Sequence, residues 1–308
     1  MATTSSPSPH PGCPSPALRL VPFAYVADVE ASLAFYAHLG FHATRVERSA
    51  DGRFEWAWAQ AAAPADGDHP AALMFGRSCE PIGTGAQGVF FCMHCADAAA
   101  LRSHLLTVGL RDGGVRTGSP GAPRAPNTVF AMVHPAYMPA GEFHIHDPDG
   151  YSILVGQIDK ERAPPMPPPV VRAVAPFLAA KDLSAVVAFY TTHLGFKAVT
   201  LHPPEKPTLA ILDSIDPATD ARLATLMFDS SLWPGEPAMT GQINLDLDPQ
   251  GNGPSRVLAL LARMGAAARI EWGPEVYGYG RRECSIKDPS GYSVVLSEQT
   301  DDPVECKE

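Results

Sequence analysis

Cysteine is scarce and scattered in this chain: six residues, Cys13, Cys79, Cys92, Cys95, Cys284 and Cys306, in a length of 308. That density excludes a disulfide-stapled scaffold and suits a reducing, cytoplasmic compartment. No run approaches the roughly 18 consecutive apolar residues that a membrane-spanning helix needs, so no membrane partner is expected. Met1 to Pro16 has no Lys or Arg and no apolar stretch. Both physical parts of a secretory signal are missing there, and residues 1–16 are read as a disordered tail. Cationic clusters are missing too. The net charge is −10, with Lys and Arg dispersed, which opposes counterion-releasing contact with phosphate backbones and argues against nucleic acid as a partner. Nucleophile elbows, phosphate-cradling glycine loops and dinucleotide fingerprints are likewise absent.

What is present is a repeat. Asp28-Val29-Glu30-Ala31-Ser32-Leu33-Ala34-Phe35-Tyr36, followed by His38-Leu39-Gly40-Phe41, returns as Asp182 to Tyr190 followed by His193-Leu194-Gly195-Phe196. Leu73-Met74-Phe75 returns as Leu226-Met227-Phe228, and Gly88 returns as Gly241. Glu142 to Leu154 returns as Glu283 to Val295, including the paired turns Asp147-Pro148-Asp149-Gly150 and Asp288-Pro289-Ser290-Gly291. Four matches in the same order define two copies of one module, at about 17–157 and 170–299. A chain of this length, 45% hydrophobic and 18% charged, holds two globular domains comfortably.

Between the copies, residues 158–169 carry Pro164, Pro165, Pro167, Pro168 and Pro169, the composition of a semi-rigid spacer. Residues 300–308 are read as an acidic, frayed tail. The copies differ in one respect. The first holds about 15 extra residues within Val115 to Ala140, where Gly118, Pro120, Gly121, Pro123 and Pro126 disfavour helix and strand, so a surface loop is expected. Loops of that length are either binding loops or passive excursions.

Each copy reads as strand, helix and strands, twice over. An apolar strand leads to a helix-capping Asp (Asp28, Asp182), an amphipathic helix follows, and Gly40 or Gly195 stops it. The second half ends in a hairpin around the Asp-Pro turn, where Pro presets φ and Gly takes the positive φ. This combination of Asp-x-x-x-Ser-x-x-Phe-Tyr, Leu-Gly-Phe, a middle-strand Gly and Asp-Pro-(Asp/Ser)-Gly-Tyr resembles the glyoxalase/bleomycin-resistance/dioxygenase (vicinal oxygen chelate) superfamily over nearly all of both copies. The resemblance implies an α+β fold of tandem paired βαβββ modules forming half-open barrels. It also implies pairing of the two modules within the chain, with a homodimer as a further arrangement it allows.

Members of that superfamily that do metal chemistry look alike in three ligand positions. Carried over, these fall on Val21, on the stretch Val89 to Phe91, and on Leu154 in copy one, and on Ala175, Gln242 or Ile243, and Val295 in copy two. Only Gln242 offers an oxygen, whereas a divalent site needs three or four protein ligands. The expected cofactor is therefore none, and a divalent metal is not expected. Ring-cleaving dioxygenase or metal-dependent glyoxalase chemistry becomes the less favoured reading.

Other candidates remain. Glu142, His144 and His146 alternate on one strand and so share a face. They suggest either a polar pocket wall, a catalytic pair of His144 as base and Glu142 as polariser, or a metal set of their own. Glu283 and Ser285 hold the same positions in copy two, and Glu283 is expected to pair with Arg281, with Arg282 or with a ligand. Phe23, Tyr25, Trp56 and Trp58, with Phe177, Tyr277 and Tyr279 from copy two, supply aromatic strand faces that are either core or a stacking surface. Cys92 and Cys95, three apart in a strand, point to opposite faces and form no CxxC site. The sequence thus favours a metal-independent protein that binds a small organic ligand, aromatic or cationic, sequestering an antibiotic or metabolite as the resemblance implies for the bleomycin-resistance branch. A metal-free glyoxalase-like lyase or isomerase is the alternative, and copy two is either a second site or a degenerate partner.

Overall fold

A computed structural model of the chain describes residues 19–62, 70–83, 89–116, 124–157, 171–217, 219–231, 239–248 and 254–305. The expected N-terminal tail, the proline-rich spacer at 158–169, Gly88 and the Gly/Pro run at 117–123 lie outside those residues. Two compact units are present. One comprises Val21–Phe177 with Trp233–Gly241, and the other is built on Leu178–Leu232 and Gln242–Glu308.

In the first unit, β1 (Arg19–Val26) leads into α1 (Val29–Ala37), and β2 (Phe41–Arg48), β3 (Phe54–Ala61) and β4 (Ala72–Arg77) follow. The strand order is β1-β4-β3-β2, with β1 and β4 parallel and the later strands antiparallel. The pattern then recurs: β5 (Val89–Cys95), α2 (Ala98–Thr107), the short β6 (Arg111–Asp112) and β7 (Thr128–Val129), β8 (Glu142–His146) and β9 (Ser152–Gln157). Here β5 lies parallel to β9, and β8 and β7 continue outward. Copy two opens with β10 (Val171–Ala179) and α3 (Leu183–His193) before β11 (Lys197–His202), β12 (Leu209–Ile215) and β13 (Arg222–Asp229). It closes with β14 (Gly241–Asp248), α4 (Arg256–Met264), β15 (Arg269–Tyr277), β16 (Arg281–Lys287) and β17 (Ser293–Gln299). β14 is parallel to β17, as β5 is to β9. Three βαβββ half-copies and one with an extra short strand are therefore present, the expected α+β class.

The repeated motifs explain themselves in contact. Asp28, Asp97 and Asp182 cap α1, α2 and α3 by accepting from backbone N–H groups of the first turn, each cap worth about 1 kcal/mol. Gly40 and Gly195 adopt positive φ after the helices (φ 90° and 75°). The Tyr of each Phe-Tyr pair is fully buried and donates to the Asp of its own copy's Asp-Pro turn: Tyr36 Oη to Asp147 Oδ2 at 3.2 Å, and Tyr190 Oη to Asp288 Oδ2 at 3.3 Å. Each bond ties the first half of a copy to its second half across about a hundred residues.

Burial dominates the ionisation of these turn carboxylates. Asp147 is pushed up to about 7 by desolvation and then by Asp149, against the hydrogen bonds it accepts from Tyr151 and Asp149 N–H and from Tyr36. Asp288 is pushed up to about 6 by desolvation. A carboxyl whose pKa is raised in the folded state stabilises fully below its unfolded value near 4, and that contribution is lost as pH rises through the folded value. Stability should therefore fall between pH 4 and 7, by on the order of 4 kcal/mol at Asp147. Chemical denaturation across that range should show the fall flattened in Asp147→Asn, whose amide keeps both the acceptor for the turn N–H groups and a partner for Tyr36.

Two expectations need correction. The insertion of copy one is not only loop: Thr128 and Val129 pair with His146 and Ile145 of β8, and Val133 bridges Glu142. Its densest Gly/Pro run ends at Pro126, so the β-branched Thr128, Val129 and Val133 beyond it remain able to pair. The acidic tail is anchored rather than frayed as far as it is described. Arg282 binds Glu298 at 2.8 Å and also Asp302, and Glu305 N–H donates to Val276 O at 3.0 Å.

Candidate functional site

Strand alternation places Phe90 and Cys92 of β5, Ser152 and Leu154 of β9, and Glu142, His144 and His146 of β8 on one face of the second half-copy. The register is Phe90↔Ser152↔His146 and Cys92↔Leu154↔His144. Phe91, Met93, Phe143, Ile145, Ile153 and Val155 take the other face and are fully buried. The three polar residues of β8 do share a face, as their spacing required. They do not converge, and among the described residues no group of three His, Cys, Asp or Glu side chains could hold a metal ion.

Each polar side chain on this face is under unusual electrostatic pressure. Burial, then Arg116, His146 and Arg124, push the His144 imidazole down to about 3. Burial and Arg124 push His146 down to about 4, although its Nδ1 lies 3.3 Å from Ala125 O. Both rings are neutral at physiological pH. Burial raises the Glu142 carboxyl above its ordinary value, partly opposed by Tyr137 Oη, which donates to Oε1 at 2.8 Å. Cys92 is pushed up to about 12 by burial and by Glu142, so it is an un-ionised thiol and a poor nucleophile. Three side-chain atoms here are buried without any hydrogen-bond partner: His144 Nδ1, Glu142 Oε2 and Ser152 Oγ. An unsatisfied buried polar atom costs about 1–3 kcal/mol, so native proteins rarely retain three on one face.

The aromatic candidates divide. Phe23, Trp56 and Trp58 gather with Val21, Ala72 and Met74 on the sheet of the first half-copy, with Tyr25 4.9 Å from Phe23 and partly exposed. Arg45 lies over Trp56 at 5.7 Å. Phe177 behaves differently, belonging to the first unit and meeting Phe90 edge-on at 6.1 Å, while Phe90 in turn meets His144 at 5.9 Å. Phe90 was marked only within the Val89 to Phe91 stretch of a metal position, and Ser152, Arg116, Arg124 and Tyr137 were not marked by sequence. The one signal that pointed to the last three was the insertion that carries them.

Copy two is chemically quieter. Glu283 accepts from Tyr279 Oη at 3.0 Å and Ser297 Oγ at 2.9 Å and lies 3.9 Å from Arg281, while Arg282 turns instead to Glu298 and Asp302. Ser285 donates to Glu271, which also pairs with Lys287 at 2.9 Å. Tyr277 and Tyr279 stack on each other at 5.3 Å. Every candidate here except Gln242, which is half-buried on β14, is engaged internally.

The superfamily's metal positions do not fit a metal. Val21 is buried in the apolar cluster with Phe23, Leu154 lies between Cys92 and His144, and Val295 is buried between Asn244 and Ser285. Aliphatic side chains supply no donor, and the amide of Gln242 alone falls short of the three or four ligands required.

Three half-copies with a first-fourth-third-second strand order, and one in which the short β6 and β7 lie outside β8, give a paired βαβββ architecture. Residues 171–296 match the family model of the Glyoxalase/Bleomycin resistance protein/Dioxygenase superfamily. Among solved structures it is similar to glyoxalase I from Zea mays, with 18% identity, coverage of 91% of this chain and 92% of that one, and a TM-score of 0.58. It is also similar to a candidate dioxygenase from Bacillus subtilis subsp. subtilis str. 168, with 12% identity, coverage of 94% and 87%, and a TM-score of 0.62. At these identities the likeness is one of fold. Against curated proteins the chain has no match. Among the described residues no helix is long and apolar enough to cross a membrane.

Proposed function

We propose that this protein binds a small organic molecule on the inner face of its first copy, without a metal, and holds it unchanged. One observation carries the reading: His144 Nδ1, Glu142 Oε2 and Ser152 Oγ are buried, share one face and lack partners. A ligand that supplied those partners would recover the desolvation cost that the ligand-free face bears. The absence of donor side chains at the superfamily's metal positions supports metal independence.

The lyase or isomerase alternative uses His144 as base. A general base works best with a pKa near the operating pH, and an imidazole pushed down to about 3 is a weak proton acceptor. Its neutral ring suits hydrogen bonding better than proton abstraction. Glu142, its carboxyl raised by burial, remains the better candidate for moving a proton.

The test is a mass balance. The full chain is incubated with planar aromatic compounds that are anionic, neutral or cationic, its melting temperature is followed, and each compound is quantified afterwards. At least one class should raise the melting temperature and be recovered intact. Conversion that vanishes in Glu142→Gln would replace this reading with the catalytic one, and no shift with any compound would remove both.

A further inference from the structure

We infer that the ligand of the first copy is a small planar aromatic carboxylate, its ring against Phe90 and Phe177 and its anionic group facing Arg116 and Arg124. This deepens the binding function proposed above and rests on it.

The donors beside Phe90 argue for an acceptor-only group at that end of the face, and burial holds the Glu142 carboxyl, its Oε2 unpartnered, toward its protonated, donating form. Both guanidinium groups lie over one ring, Arg116 at 6.0 Å and Arg124 at 5.8 Å from the Phe90 centroid. Arg124 is buried and its Nη1 donates to Gly150 O at 3.1 Å, which fixes the side chain in place. A guanidinium keeps its charge whatever bonds it makes, so Arg124 adds a positive charge to this face. Beside this pair, Ser152 Oγ is unpartnered in the register position between Phe90 and His146, and His144 Nδ1 is unpartnered next to Phe90. A hydroxyl, a neutral imidazole N–H and the Arg116 guanidinium can all donate. A carboxylate presents two oxygens that only accept and matches a guanidinium in charge and geometry.

The electrostatics point the same way. Arg116 and Arg124 depress each histidine beyond what burial does, and Arg111 adds to this at His146. Arg124 itself is pushed down to about 10 by burial and by Arg116, with Asp147 opposing. The face therefore carries a local positive field although the whole chain is acidic. A local field of this kind selects an anion, which reverses the cationic option suggested by net charge. Phe90 and Phe177, edge-on at 6.1 Å, give an apolar corner suited to a ring. Copy two supports the assignment by contrast, since Lys287, opposite Ser293, is neutralised by Glu271. The insertion peculiar to copy one is what supplies Arg116 and Arg124.

Isothermal titration of the full chain with benzoate and 2-naphthoate, and with their neutral amides and benzylamine, tests this. The carboxylates should bind at least tenfold tighter than the matched amides and weaken as salt rises, and benzylamine should not bind. Arg116→Gln, at an exposed position, and Arg124→Gln should each lower carboxylate affinity about tenfold while leaving amide affinity unchanged. If Arg124→Gln fails to fold, Arg116→Gln carries the test. Amides or benzylamine binding as tightly as carboxylates would overturn the carboxylate assignment while leaving the binding face intact. No binding by any compound, whatever its charge, would overturn the binding face and the assignment with it.

Discussion

Gly241→Ala should cost about 4 kcal/mol or prevent folding, the largest effect expected of a single added methyl group among the described glycines. Gly241 has φ 152°, and a Cβ there would lie 2.1 Å from the Phe23 carbonyl oxygen and 3.1 Å from its carbon. The obstacle is backbone and cannot swing aside as a long side chain would. The surroundings are also pinned: Tyr25 N–H donates to Thr240 O at 3.1 Å, and Tyr151 Oη donates to Thr240 O at 2.5 Å and Tyr25 O at 2.9 Å. Gly52→Ala is the control. Its φ is 85°, but nothing lies within 4 Å of the added methyl, so it should cost only about 1 kcal/mol, for backbone strain alone. Urea denaturation of the two variants separates clash from strain. Equal, small losses would show that the approach at Gly241 is looser than described.

His144→Leu should make the ligand-free protein more stable by about 1–2 kcal/mol and abolish ligand binding. The substitution removes a buried nitrogen that has no partner and leaves an apolar side chain against Phe90 and Leu154. It also removes an acid-sensitive group. A histidine held neutral by the fold contributes stability above its unfolded pKa near 6.5, lost as pH falls toward the folded value of about 3. The gain from His144→Leu should thus grow below pH 6. Thermal melts at pH 5 and 7, with binding measured on the same samples, check both halves. A destabilised variant would mean that the imidazole holds the structure together.

Much of the fold was legible because it is written twice. The Asp caps, the Gly40 and Gly195 stops and the Asp-Pro-x-Gly hairpins are local signals, each with a backbone reason. The pairing of Tyr36 with Asp147 and of Tyr190 with Asp288 gives the two most similar segments of each copy a single physical cause. Period-two alternation likewise put Glu142, His144 and His146 on one face correctly. What alternation could not show is which distant segments fold back onto that face. Arg116 and Arg124 sit in a Gly/Pro stretch without periodicity, and Phe177, read as a residue of copy two, packs against Phe90 of copy one. Nor could it separate the satisfied from the unsatisfied. Glu142 and Glu283 occupy equivalent places, yet one keeps an unpartnered oxygen while the other is held by Tyr279, Ser297 and Arg281.

Metal independence is tested most directly by comparing ligand binding before and after exposure to metals and to a chelator. Full-length protein is incubated with excess Fe, Mn, Zn or Ni, desalted and analysed for metal, and titrated with its best ligand before and after chelation. The account predicts metal well below one ion per chain and an unchanged affinity throughout. One ion per chain, lost to the chelator together with ligand binding, would contradict it.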